Sequence, residues 1–132
     1  MFLINNAFIA TMAKKTLLNE KEIHIILHRL ACQLIENHQD FSDTILIGIQ
    51  PRGIYLANRL VQLLQEEYGI KNIQMGKLDI TFYRDDFRGQ IHIPSITELP
   101  FSIEKKKVIL IDDVLYTGRT IRAAMDALLD HG

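Results

Sequence analysis

The chain has 132 residues, enough for one domain with a real core and too few for an enzyme with a separate substrate lobe. Apolar residues make up 48% and charged residues 23%, the balance of a globular protein and not of a disordered one. Fifteen Lys and Arg against sixteen Asp and Glu leave a net charge of −1, which excludes a global basic field for nucleic acid, and the single cysteine, Cys32, excludes an internal disulfide and a multi-cysteine zinc site. Without a disulfide framework the default setting is a reducing, cytoplasmic one.

Met1 to Ala13 is apolar, but no basic residue precedes it and Lys14 and Lys15 follow it, the reverse of a secretory signal. It is also too short to span a membrane. Residues 1–11 read as an N-terminal extension, either a strand or tail or an untranslated stretch ahead of a start at Met12. Residues 12–132 read as the domain.

Asn19 and Glu22 form a capping-box pattern, and Ile23, Ile26, Leu27, Leu30, Ala31, Leu34 and Ile35 make one face of a helix ending near Asn37 or His38. Thr44 to Ile49 is β-rich and apolar on both faces, as in a central parallel strand. After the break Gln50-Pro51-Arg52-Gly53, a second helix is expected from about Ile54 to Tyr68, stopped by Gly69. Ile73 to Leu78 reads as a strand, Thr81 to His92 as a polar projecting arm, and Val108 to Ile111 as a third strand. A turn, Asp112 to Thr117, then leads to a third helix from about Gly118 to Asp130. The order predicts an α/β fold with parallel strands and right-handed crossovers, and ligands beyond the carboxyl ends of the strands.

Two turns carry the chemistry. VILIDDVLYTGRT, residues 108–120, delivers Asp112 and Asp113 from a buried strand and then opens a helix at Tyr116-Thr117-Gly118-Arg119-Thr120. A helix N-terminus offers unpaired N–H groups and partial positive charge, Gly118 lets backbone approach closely, and Thr117 and Thr120 add hydroxyls: a phosphate cradle. Carboxylates beside such a cradle suit a phosphorylated sugar. The bland alternative is an ordinary helix start after a strand. Adjacent residues near a strand end point different ways, so at most one acid is expected to face a given ligand atom squarely.

The same run resembles the phosphoribosyl-pyrophosphate (PRPP) signature of type I phosphoribosyltransferases, and its spelling DDVLYTGRT resembles the PyrR family of pyrimidine-operon regulators and uracil phosphoribosyltransferases. GIQPRGIYLANRL (48–60), LDITFYRDD (78–86) and RAAMDALLDHG are similar to further segments of that family, in order. The resemblance, over residues 15–132, implies the parallel-sheet phosphoribosyltransferase type I fold with flanking helices and a projecting arm. It implies that Asp112 and Asp113 hold the ribose hydroxyls of PRPP and that Tyr116, Thr117, Gly118, Arg119 and Thr120 hold its 5′-phosphate, with Val114 and Leu115 part of the same PRPP-binding run. Pro51, Arg52 and Gly53 would bind pyrophosphate, with a cis peptide between Pro51 and Arg52, and Arg84 on the arm would close over it. Asp112, Asp113 and Arg84 would be the catalytic residues. The implied reaction joins uracil to PRPP, giving UMP and pyrophosphate, with Mg2+ carried on the PRPP and no metal ligand set of the protein's own. Oxopurine-type relatives have an acid where this chain has Tyr116, a poor base at neutral pH, so the residue leans away from a hypoxanthine or guanine enzyme.

The family continues for several dozen residues beyond the position of Gly132, so its C-terminal strands and base-binding hood are expected to be missing. Transfer to uracil is then expected to be poor and Val108 to Ile111 to lie at a sheet edge. Binding of pyr mRNA is implied by the family, although Lys14 to His38 carries four basic and three acidic residues. The alternatives to a uracil phosphoribosyltransferase are an RNA-binding nucleotide sensor with little turnover and an impaired PRPP-binding fragment. A homo-oligomer is expected by the same resemblance. Thr and His stand in the family where this chain has His28 and Cys32. His24, His28 and His38 read as solvated helix residues: His24 and His28 are i,i+4 neighbours, but no third ligand lies nearby in sequence. Cys32 reads as a packing residue.

Overall fold

The computed structural model describes residues 15–83 and 97–132. Its elements run α1 (Glu20–His38), β1 (Thr44–Ile49), α2 (Gly53–Glu66), β2 (Gln74–Leu78), a 3-10 turn (Thr81–Tyr83), β3 (Lys107–Ile111) and α3 (Arg119–His131). The arm expected at Thr81 to His92 begins with that short turn; the rest of it lies outside the described residues, as do residues 1–11.

Local chemistry accounts for the ends of the helices. The Glu22 N–H donates to Asn19 Oδ1 (2.9 Å) and the Asn19 N–H donates to Glu22 Oε2 (2.7 Å), a full capping box at the start of α1. At the end of α2, Gly69 takes φ 70°, and the Ile70 N–H donates to the Leu64 carbonyl at 3.0 Å. That left-handed residue favours glycine and turns the chain toward β2.

The sheet is parallel, in the order β2-β1-β3. β1 is central and buried at every position, which is why TILIGI is apolar on both faces. Its side chains alternate. Leu46 meets Leu27 and Ala31 of α1 and Ala57, Leu60 and Leu64 of α2 on one face. Ile45, Ile47 and Ile49 meet Ala123, Ala124 and Ala127 of α3 on the other. Each fully buried Ile or Leu here contributes about 1.5–3 kcal/mol from apolar burial.

Among the described residues β3 lies at one edge, with Val108, Ile109 and Leu110 half-buried. The other edge is covered in part: Lys77 of β2 exchanges two backbone hydrogen bonds, each 2.9 Å, with Glu98. Because β1 and β3 run the same way, the turns that follow them, starting at Gln50 and Asp112, open at the same end of the sheet.

Candidate active site

A cleft of about 500 Å³ opens at the carboxyl ends of the three strands. Pro51 and Arg52 line it from the turn after β1, Asp79 and Thr81 from the end of β2, and all of Asp112 to Thr120 from the turn after β3. The order of elements put the turns after β1 and β3 at one end, and the fold brings them together and adds the end of β2. Arg84 lies outside the described residues.

Gly53 does not line the cleft but explains its shape. A Cβ at this position would collide with the Ile111 carbonyl oxygen and meet the Asp112 Cα at 3.1 Å. Only glycine lets the first turn of α2 lie directly on the end of β3, with Arg52 against the acids. The cis peptide is Gln50–Pro51. This corrects the expectation of a cis bond between Pro51 and Arg52: the bond on the amino side of Pro51 is a proline amide, for which the cis form is far less costly.

β3 ends at Ile111, so Asp112 and Asp113 lie past the ladder and strand alternation no longer separates them; both line the cleft. The Asp113 N–H donates to Asp112 Oδ1 at 2.9 Å. Asp112 is half-buried, and burial foremost pushes its carboxyl above the usual value, with the nearby Asp113 carboxylate adding to the effect and Arg52 opposing it. Arg52 Nε donates to Asp113 Oδ2 at 2.7 Å. Arg52 was expected to bind pyrophosphate and Asp113 to bind ribose; in the ligand-free cleft they form an ion pair. The Arg52 side chain is 71% exposed, so the pair is worth no more than ~1 kcal/mol and is readily exchanged for a stronger anion.

Opposite these residues, α3 begins with Gly118 as N-cap at φ 82°, ψ 0°, with no side chain capping the helix. Gly118, Arg119 and Thr120 line the cleft, so this uncapped helix end borders it, where an anion is favoured. No heavy atom of the described residues lies within 4 Å of where a Cβ of Gly118 would stand, so the requirement for glycine is the positive φ. Val114, Leu115 and Tyr116 are strongly exposed along the rim.

Sequence reasoning missed Asp79. It follows β2 directly, and its Oδ1 accepts from the Thr81 N–H (3.0 Å) and hydroxyl (2.6 Å), while the Asp79 N–H donates to Thr97 Oγ1. Its position one residue past a strand, at the same sheet end as Asp112, was the available signal.

Comparison with known proteins agrees with this layout. Residues 13–132 match the phosphoribosyl transferase domain. The chain belongs to that family. It is 48% identical over 108 residues to the Bifunctional protein PyrR of Geobacter sulfurreducens, covering 80% of this chain and 60% of that protein. It is 46% identical over 123 residues to the Bifunctional protein pyrR of Enterococcus faecalis, covering 92% and 68%. The chain thus spans about three-fifths to two-thirds of the length of these PyrR relatives. Among solved structures it resembles in fold a hypoxanthine phosphoribosyltransferase from Staphylococcus aureus (TM-score 0.68, 24% identity, 89% of this chain and 61% of that one). A purine phosphoribosyltransferase from Pyrococcus horikoshii is similar too (TM-score 0.61, 24% identity, 87% and 68%). Among the described residues no helix is long and apolar enough to cross a membrane.

Proposed function

We propose that the chain carries the PRPP site of a PyrR-type uracil phosphoribosyltransferase, joining uracil to PRPP to give UMP and pyrophosphate. The observation that carries this reading is the cleft that Asp112 and Asp113 line together with an uncapped helix N-terminus and with Arg52. In this reading the two carboxylates accept hydrogen bonds from the ribose hydroxyls. The first turn of α3, with Thr117 and Thr120, receives the 5′-phosphate. Arg52 exchanges Asp113 for pyrophosphate and stabilises the charge that develops on the leaving group. Arg84 is proposed to close over that group. Fixing both ends of the sugar aligns its reactive carbon for attack by the base, where positioning is the main contribution of the protein.

The donor set also fits Mg2+. Asp112 and Asp113 are hard oxygen donors lining the cleft, and Mg2+ typically takes one or two carboxylates and completes its shell with substrate oxygens and water. When bound with PRPP it would neutralise pyrophosphate charge. Tyr116 at the rim supports uracil over an oxopurine, because it offers no carboxylate to a purine proton. A cytoplasmic homo-oligomer is part of the same reading. So is pyr mRNA as a partner, by resemblance to the PyrR relatives.

The test is pyrophosphate release from PRPP and Mg2+ with and without uracil. Uracil-dependent release abolished by Asp113→Asn supports the reading. PRPP binding in calorimetry without turnover would leave a nucleotide sensor or an impaired PRPP-binding fragment, and RNA affinity that falls with salt would single out the sensor. Absence of PRPP binding would refute all of these.

A further inference from the structure

On the side of the molecule away from the cleft, α1 and the end of α2 bring a second group of side chains together. Leu27 and Ala31 of α1 pack against Leu60, Leu63 and Leu64 of α2. His24 and His28, one helical turn apart, flank that seam. Glu67 comes from the other helix: it is the C-cap of α2, its N–H donating to the Leu63 carbonyl at 3.0 Å. The turn at Gly69 holds that helix end in place. The start of α2 lies at the cleft and its 14 residues span about 20 Å, so this group is remote from Asp112 and Asp113.

The three side chains come together around His28, and the exposed His24 and Glu67 would close toward each other on one ion. Nε2 of His28 lies 3.0 Å from Nε2 of His24 and 3.5 Å from Oε2 of Glu67. The three potential ligand atoms all lie within 4.8 Å of one another. Ligands about 2.0–2.1 Å from a tetrahedral zinc ion stand about 3.3 Å apart, between the two shorter separations. Two imidazole nitrogens aimed at each other with a carboxylate alongside can share one proton between them, or all three can face one cation.

The neighbouring groups orient the central ligand. Nδ1 of His28 lies 3.3 Å from the Tyr68 hydroxyl, which lies 3.3 Å from Sγ of Cys32. His24, His28 and Cys32 follow one another at intervals of four along α1, and Tyr68 follows Glu67 directly. With the Nδ1 proton of His28 on the Tyr68 oxygen, Nε2 keeps its lone pair for a metal, the usual outer support of a ligating histidine.

We propose that His24, His28 and Glu67 form a binding site for a zinc-class transition-metal dication that ties α1 to the end of α2. Two nitrogens and one carboxylate suit Zn2+, with Co2+ and Ni2+ as surrogates, and are a poor set for Mg2+, which prefers oxygen donors. His28 is half-buried while His24 and Glu67 are exposed, so the ion would reach the site from solvent and keep at least one position for water.

The experiment is calorimetry with Zn2+ alone on the full chain, paired with visible spectra of the Co2+ form. One Zn2+ per chain is expected. His24→Ala and Glu67→Gln should each weaken binding by about a hundred-fold or more, and Tyr68→Phe by about ten-fold. Asp113→Asn should leave Zn2+ affinity unchanged, which separates this site from the cleft. Glu67→Gln is a change of an exposed side chain and carries the test should His24→Ala fail to fold. Failure to bind Zn2+ at micromolar protein and metal would overturn the proposal. So would binding that survives Glu67→Gln or disappears with Asp113→Asn. None of these readings depends on phosphoribosyl transfer.

Discussion

Replacing Asp112 by Asn should move binding and stability in opposite directions. Burial holds the Asp112 carboxyl above its usual value, so the folded chain binds this proton more tightly than the unfolded chain does. The stability contributed by that proton is present in full below the unfolded value, about 3.8, and is lost as pH rises through the higher folded value. At neutral pH the ionised group is therefore a cost. Asn keeps the shape and the Oδ1 that accepts from the Asp113 N–H, while removing both the charge and its repulsion with Asp113. The variant should melt above wild type at pH 7, and the difference should shrink below about pH 4. Binding should weaken. Oδ1 is engaged by the backbone, so among the described residues the second oxygen is the one open to a ribose hydroxyl, a single charge-assisted bond. A bond of that type is worth about 1.5–3 kcal/mol, so PRPP affinity should fall by about ten-fold or more. Calorimetry with PRPP and Mg2+ and thermal melts at both pH values measure the two effects. Unchanged affinity, or a lower melting temperature at pH 7, would refute the reasoning.

Four further substitutions test other links. Gly118→Val forces a β-branched residue into φ 82°, at a cost of about 1–3 kcal/mol, and ribose 5-phosphate should raise the melting temperature of wild type but not of the variant. Gly53→Ala should destabilise by about 1–3 kcal/mol in urea unfolding, because the new methyl meets the Ile111 carbonyl and pushes α2 off β3. Asn19→Ala removes the cap of α1 and should cost about 1 kcal/mol in the same assay without changing PRPP affinity. Arg52→Ala breaks an exposed pair, so stability should change by less than ~1 kcal/mol, while pyrophosphate affinity measured by calorimetry should fall about ten-fold or more.

Much of the architecture was legible because it rests on near neighbours in the chain. The Asn19 box, the TILIGI strand and the Gly69 stop are local rules of hydrogen bonding, burial and backbone freedom, and each stands where its residues predict it. The order of elements likewise implies two polar turns at one end of a parallel sheet, and Asp112 to Thr120 and Pro51-Arg52 do meet there. Tertiary structure decided what depends on approach between distant segments. The position of Gly53 against Ile111, the pairing of Arg52 with Asp113 and the entry of Asp79 into the cleft follow from how closely α2 and β2 pack on their neighbours. Glu67 beside His24 and His28 is the clearest case. Along the chain the two histidines have no third ligand, because the carboxylate that meets them lies 39 residues from His28 and arrives only when the Leu27–Ala31 stripe docks on α2. A sequence carries periodicity and local propensity in its spacing, whereas a side-chain constellation built across a helix seam exists only once the apolar faces have found each other.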